Sequence, residues 1–174
     1  MTDRIAVGFR CHSGWAVVVS VTGSARAPLV LERHRVELVD DALPRQPYHA
    51  IATLGAPAGV VDEVASAAST AAAAILRSFS RVDALGIVAA QRRIPSSLDR
   101  ILASHALLHA AEGDLYERAV IEAGNDAGLR VHVVDPRSIT VPAAVDALRK
   151  SVGPPWQQDH KWATTAALAA LAAR

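Results

Sequence analysis

Three runs of strand-forming residues follow one another at the start of the chain, and they restrict its possible folds more than any other feature. The runs span residues 5–9, 15–21 and 29–39 and are rich in valine and other β-branched residues. Short polar segments at residues 10–14 and 22–28, each containing glycine, predict turns between the runs. Successive strands joined by such short turns pair in antiparallel fashion. The chain is therefore predicted to begin with a three-stranded antiparallel meander.

Helices and single strands alternate through the rest of the sequence. Apolar residues near a 3.6-residue period predict a helix over 58–80, and a continuous apolar run predicts a buried strand over 82–90. A longer helix is predicted over 98–125, with a break at Gly113 left open, followed by a strand over 129–134 and helices over 142–152 and 158–173. Residues 40–57 contain three prolines and are predicted to be irregular. Antiparallel strands followed by βαβ crossovers predict an α/β fold, a mixed sheet with helices on both faces.

Size and composition bound the class of protein. A chain of 174 residues is expected to form one domain, spanning residues 1–174. The net charge of +1 speaks against a strongly basic nucleic-acid binder, although a local basic patch is compatible with it. Cys11 is the single cysteine, so no disulfide can form within the chain and a cytoplasmic location is expected. No run of about 20 strongly apolar residues occurs, so we expect no membrane partner.

Four stretches of the chain resemble the ribonuclease H-like superfamily, and within it the Holliday-junction resolvase group. Residues 8–18 are similar to the first hairpin, 109–113 to the middle of the long helix, 128–136 to the fifth strand and its exit, and 159–171 to the closing helix. The resemblance implies a ribonuclease H-like fold. It also implies a site where acidic residues hold two metal ions that cleave a phosphodiester. Carboxylates suit that site because Mg²⁺ prefers hard oxygen ligands.

The resemblance places the metal-binding acids at the ends of the first and fourth strands and on the closing helix. Non-acidic residues stand at all three places, namely Phe9 and Arg10, Ala90 and Gln91, and Ala163 and Ala166. Asp159 is the nearest acid on the closing helix, about two turns before the last place. A cationic Arg10 would repel a divalent cation. We therefore expect a catalytically diverged protein that binds nucleic acid or a phosphorylated ligand in a cleft around Arg10, Arg92 and Glu112.

The candidate ligand-binding residues are basic or polar and come from three places. The first turn supplies Arg10, His12 and Ser13. Arg92 and Arg93, with Arg100 nearby, follow the fourth strand, where ligands of open α/β sheets often bind; a solvated loop is the alternative explanation for these arginines. Lys161 lies at the start of the closing helix. Phosphate groups of nucleic acid or a nucleotide are the partners that such cations recognise.

The alternative to a diverged protein is a metal-dependent nuclease. In that hypothesis Glu112 and Asp159 are catalytic, with Asp135 as a third acid, and Mg²⁺ or Mn²⁺ is the cofactor; otherwise the cofactor is unknown. His105, His109 and Glu112 recur at i, i+4 and i+7, which places them on one helix face and offers a second, unrelated metal site. A solvated polar stripe on the helix explains the same spacing.

Two further hypotheses concern Cys11 and the alanine-rich helices. Arg10 and His12 would lower the pKa of a nucleophilic Cys11, but a lone cysteine is more often a small buried thiol. The helices predicted over 58–80 and 158–173 are rich in alanine and offer packing surfaces between two copies of the chain. A structural or oligomeric protein, such as a homodimer, is therefore the third functional class.

Overall fold

The computed structural model describes residues 4–173. Its five strands form one mixed sheet in the order β3-β2-β1-β4-β5. Strands β1, β2 and β3 pair antiparallel, whereas β4 and β5 run parallel to β1. The mixed sheet predicted from the sequence is thereby confirmed. The strands are β1 Ala6–His12, β2 Trp15–Ser24, β3 Ala27–Glu37, β4 Ala84–Val88 and β5 Arg130–Val134.

Seven helices connect and cover the strands. Helices α2 and α4 pack together on one face of the sheet, and α7 lies on the other face against β1, β2 and β4. No helix within residues 4–173 has both the length and the apolar character needed to cross a bilayer. The helices are α1 Pro47–Leu54, α2 Val60–Ser78, α3 Leu98–Leu102, α4 His105–Asp126, α5 Ala143–Ala147, α6 Arg149–Val152 and α7 Gln158–Ala172.

Side chains of the central strand β1 alternate between these two layers. Val7, Phe9 and Cys11 are buried in the core formed with α2 and α4. Gly8 lies on the opposite face, where a Cβ atom would overlap the backbone carbonyl of Ala163 on α7. Since alternate residues of a strand point to opposite faces, Arg10 is on the α7 side of the sheet together with Gly8. The sheet thus separates the surroundings of Arg10 from those of Cys11.

Helix α7 approaches the sheet closely because two adjacent strands present glycine to it. A Cβ atom at Gly8 would overlap Ala163, and one at Gly86 of β4 would overlap Ala166. Both alanines are fully buried. These are the two positions that the resemblance aligns with the last metal-binding acids. One face of α2 and one face of α7 are likewise buried within the chain.

The structure corrects several boundaries predicted from the sequence. The turn predicted over 22–28 is reduced to Ala25 and Arg26 between β2 and β3. Residues 10–12 belong to β1 rather than to a turn, because they pair with 15–17 and leave Ser13 and Gly14 as the two-residue connection. Gly14 has a φ of +84°, in the left-handed region that glycine adopts without steric cost. Residues 47–54 form α1 rather than an irregular segment: Pro47 occupies the start of the helix and Gly55 ends it in the left-handed conformation.

The long helix and the segment before the last helix also differ from the prediction. The helix predicted over 98–125 divides between Leu102 and His105, not at Gly113, because the Ser104 side chain accepts the Leu107 N–H and caps a new helix. Gly113 lies inside α4, where the Arg92 guanidinium passes 3.3 Å from the place a Cβ atom would occupy. Residues 142–152 form two short helices, α5 and α6, instead of one.

Candidate functional site

An arginine, a histidine and a carboxylate meet where β1 ends beside the first turn of α7. The Asp159 Oδ2 atom lies 3.0 Å from His12 Nε2, and Asp159 Oδ1 lies 3.7 Å from Arg10 Nε. All three side chains are partly buried. A carboxylate accepts but does not donate, so His12 Nε2 carries the proton of this contact. Asp159 therefore supplies the counter-charge to Arg10 and accepts the hydrogen bond of His12.

Arg10 is only partly satisfied by these neighbours. Its Nη1 donates a 3.3 Å hydrogen bond to the Cys11 carbonyl, and its guanidinium lies 5.3 Å from the centre of the Trp162 ring. Its Nε–H is buried and has no hydrogen-bond partner within residues 4–173, because Asp159 is beyond hydrogen-bond distance. Buried donors are usually paired, so an oxygen ligand near Arg10 would relieve an existing cost.

A stacked group of side chains extends this site across the neighbouring strands. The His12 ring stacks on Trp15 with a centroid distance of 4.1 Å, and the Arg35 guanidinium lies 4.0 Å from the Trp15 centroid. Their positions follow from the register, which pairs His12 with Trp15 and Val17 with both Arg10 and Arg35. The three strands thus bring Arg10 of β1 and Arg35 of β3 to one face of the sheet, with only β2 between them.

A surface groove runs beside this stack, between strands β2 and β3 and the start of α7. Trp15 and Val17 line its sheet side, and Asp159 lies on its helix side. Arg33 also lines it, but donates to the Val152 and Pro154 carbonyls at 2.7 and 3.1 Å and so fixes the loop before α7. We call this surface the α7 groove. Arg35 lines the groove half exposed, with its Nε 3.4 Å from Glu37 Oε1.

A second ion pair lies on the other side of the sheet. Glu117 on α4 is 5% exposed, and its Oε2 accepts from Arg92 Nη1 at 2.7 Å and from the Ala90 N–H at 3.2 Å. Burial raises the pKa of Glu117, while Arg92 opposes the rise. Burial, with the nearby Glu117 charge, also raises the pKa of Cys11 far above its usual range. Cys11 is therefore a buried neutral thiol, which contradicts the hypothesis of a nucleophile.

Glu112 lies away from the α7 groove, in the layer formed by α4. Its Oε1 accepts from the backbone N–H of His49 at 3.1 Å and lies 3.2 Å from the Nδ1 of the same residue. His105 and His109 on α4 lie next to His49 on α1. Burial raises the pKa of Glu112, and the bonds to His49 oppose the rise. The structure thus joins Glu112 to histidines, while Asp159 lies on the opposite face of the sheet.

The remaining predicted site residues are scattered. Lys161 pairs with Asp146 of α5, and the Asp135 carboxylate accepts the backbone N–H of Arg137 in a local turn. Ser13 lies half-buried in the hairpin turn, while Arg93 and Arg100 are exposed around the loop after β4. Asp135 is therefore not brought to either Asp159 or Glu112 by any contact within residues 4–173. Of the predicted site residues, Arg10, His12 and Asp159 thus lie together, whereas these others occupy separate positions.

Five residues that define these surroundings were not predicted from the sequence. The alternation in β3 was a usable sign for two of them, since it places Arg33 and Arg35 on one face. Nothing local connects His49, Glu117 or Trp15 to their partners, because those contacts depend on how helices and strands pack. The five are Trp15, Arg33, Arg35, His49 and Glu117.

No protein-family model matches the sequence, and a comparison with curated proteins finds no match. Among solved structures, the chain is similar to T. thermophilus RuvC in complex with a Holliday junction substrate, with a TM-score of 0.58 and 14% identity over 95% of this chain and 90% of that one. Two structures of Aquifex aeolicus Ppx/GppA proteins match with TM-scores of 0.40 and 11% and 12% identity. They cover 88% of this chain, which spans 42% of their length. On the overlap with RuvC, this chain has the ribonuclease H-like α/β fold found in Holliday-junction resolvases.

Proposed function

We propose that this protein binds nucleic acid through the α7 groove without cleaving it. The observation that carries the proposal is the incompletely satisfied Arg10, which borders the groove through its contact with Asp159. Arg10 stands at the end of the central strand, where the resemblance implies the first acid. A guanidinium there attracts a phosphate and repels a divalent cation. The fold's likeness to RuvC, whose solved structure contains a Holliday junction, makes nucleic acid the first ligand to test.

The groove's charges support binding to a phosphate backbone rather than reading of bases. Arg10 and Arg35 lie on either side of strand β2, and the His12–Trp15–Arg35 stack holds the Arg35 guanidinium over a rigid ring. A preorganised guanidinium loses less freedom when it binds a phosphate oxygen. Contacts of this kind are sequence-tolerant and weaken as salt is added, because bound phosphates release counterions. We therefore expect weak selectivity for base sequence and a clear salt dependence.

The proposed absence of cleavage rests on how the nearby carboxylates are used. Asp159 is engaged by Arg10 and His12, and Glu117 is buried under Arg92. Neither carboxylate belongs to a group of three or more clustered His, Cys, Asp or Glu donors within residues 4–173. Ala163 and Ala166 are fully buried, and their backbone carbonyls lie directly over Gly8 and Gly86. Two-metal hydrolysis needs several free oxygen ligands at one point.

Binding is tested by fluorescence anisotropy with labelled junction, duplex and single-stranded DNA and RNA over a range of salt. Arg35→Ala should weaken binding and reduce the slope of log affinity against log salt by about 1, as expected for one lost phosphate contact. The matched control is Arg77→Ala, which removes an exposed arginine from α2 on the opposite face. Equal affinity of the wild type and Arg35→Ala for every probe would refute binding through the α7 groove. Binding only of free nucleotides would replace nucleic acid by a small phosphorylated ligand.

A further inference from the structure

Three histidine side chains from two helices converge on one point outside the α7 groove. His49 lies on α1, and His105 and His109 lie one turn apart at the start of α4. One ring nitrogen from each can be chosen so that all three atoms lie within 4.8 Å of one another. The Nε2 atoms of His105 and His109 are 3.0 Å apart. Within residues 4–173 these three form the one group of three or more potential metal ligands.

A hydrogen bond between two imidazoles explains only part of this arrangement. One N–H and one lone pair account for the contact between His105 and His109. They do not account for the third ring, which lies 4.8 Å from His109 and 5.9 Å from His105 between centroids. Two nitrogen ligands on a tetrahedral zinc lie roughly 3.3 Å apart, because bonds of about 2.0–2.1 Å meet at the tetrahedral angle. The three rings need only small side-chain adjustments to reach that geometry.

Glu112 orients the third histidine in the way that metal sites commonly use. Its side chain is 2% exposed, and its Oε1 lies 3.2 Å from His49 Nδ1 while also accepting the His49 backbone N–H. A carboxylate accepts from Nδ1–H, which leaves the lone pair on Nε2 free to bind an ion. Ligating histidines usually have such a carboxylate or carbonyl behind them. A buried acid that fixes one tautomer is a second observation, independent of the clustering.

We propose that His49, His105 and His109 bind a zinc ion, with Glu112 positioning His49. Three neutral imidazoles suit a borderline-soft transition metal and disfavour Mg²⁺ and Ca²⁺, which prefer oxygen ligands. His105 and His109 are exposed, so a fourth position on the ion is open to water or another ligand. The ion joins α1 to α4 and so anchors the segment between the meander and the first long helix. This site is independent of the α7 groove, so failure of one does not affect the other.

The experiment is titration of the full chain, purified without a histidine tag, with Co²⁺ and Zn²⁺. We expect one equivalent of Co²⁺ to produce the visible absorption of a four- or five-coordinate site, and Zn²⁺ to displace it. Zn²⁺ but not Mg²⁺ should raise the thermal unfolding midpoint, because an ion that binds only the folded chain stabilises it by mass action. Absence of stoichiometric binding by the wild type would overturn the proposal, as would equal protection by Mg²⁺.

Variants separate a built site from casual binding by surface histidines. His49→Ala, and the double variant His105→Ala with His109→Ala, should each lose the cobalt spectrum, whereas His34→Ala on the exposed face of β3 should keep it. Glu112→Gln should keep the ligands and weaken zinc binding by about tenfold or more, since it removes the charge behind His49. Circular dichroism checks that each variant folds. Unchanged zinc affinity in Glu112→Gln and His49→Ala would reject the proposed ligand set.

Discussion

Asp159 and His12 are 147 residues apart in the chain, and their Oδ2 and Nε2 atoms lie 3.0 Å from each other. This contact links the end of the central strand to the first turn of the closing helix. The resemblance to ribonuclease H-like nucleases implies metal-binding carboxylates at this place. Here the strand supplies Arg10 and His12 and the helix supplies the acid, so the carboxylate faces basic residues of another element.

The first prediction concerns the charge of Asp159. Asp159→Asn leaves Arg10 without its counter-charge and removes a repulsion toward phosphate. We expect binding of nucleic acid to become tighter by about two- to fivefold at low salt, in line with roughly 0.5–1 kcal/mol for a partly exposed charge. Anisotropy at two salt concentrations measures it. Weaker binding in Asp159→Asn would show that the carboxylate itself contacts the ligand.

The second prediction concerns the glycines beneath α7. Gly8→Ala and Gly86→Ala each drive a methyl group into a backbone carbonyl of the helix. Because a backbone atom cannot move aside cheaply, we expect a loss of about 2 kcal/mol or more in the free energy of unfolding. Urea denaturation measures the loss. Gly59→Ala is the control, since nothing lies within 4 Å of its Cβ position and its φ of −62° suits alanine.

The third prediction concerns the pH dependence of the buried pair. Arg92→Ala leaves Glu117 buried without its guanidinium, so its pKa, already raised by burial, should rise further. An acid with a raised pKa destabilises the fold once it ionises, so the penalty is absent below about pH 4 and grows as the pH rises toward neutrality.

We expect the loss from Arg92→Ala to reach about 1–3 kcal/mol at pH 7. Urea denaturation from pH 4 to pH 7 measures it, with Arg93→Ala, an exposed neighbour, as the control. A loss in Arg92→Ala that is constant across this range would mean that Arg92 stabilises the chain by packing alone.

The general architecture was predictable because it depends on local patterns. Side chains of residues 15–21 point alternately to the two faces of the sheet, and both faces are covered by apolar residues. Residues 84–88 form a buried strand, as their continuous apolar run indicates. Ser97 caps α3 by accepting the Arg100 N–H, in line with the preference of serine for the N-cap position. Short-range physics decides each of these features, so a single sequence is enough to predict them.

The site was less predictable because its contacts join distant parts of the chain. Arg35 reaches Trp15 only through the β2–β3 register, which contains an irregularity between Ser20 and Val21. His49 was hidden in a proline-containing segment where Pro47, expected to break structure, instead begins a helix. The spacing of His105 and His109 correctly placed them on one face, but their third neighbour comes from another helix.

The fourth prediction concerns the single thiol. Burial raises the pKa of Cys11, and the residue is packed in the core beneath α2 and α4. We expect Ellman's reagent to react with less than about one tenth of the thiol in the folded protein within minutes, and with all of it in strong denaturant, because the thiolate is the reactive form. Rapid reaction of the folded protein would instead indicate an accessible thiolate at the end of β1.

Cleavage of bound nucleic acid tests the central claim most directly. Protein at a concentration that saturates a labelled Holliday junction, and separately a single strand, is incubated with Mg²⁺ or Mn²⁺ and the strands are resolved on a denaturing gel. We predict bound but intact strands with either ion. Metal-dependent cleavage that disappears in Asp159→Asn would contradict the claim, because it would mean that the carboxylate held by Arg10 and His12 is released to bind a catalytic metal.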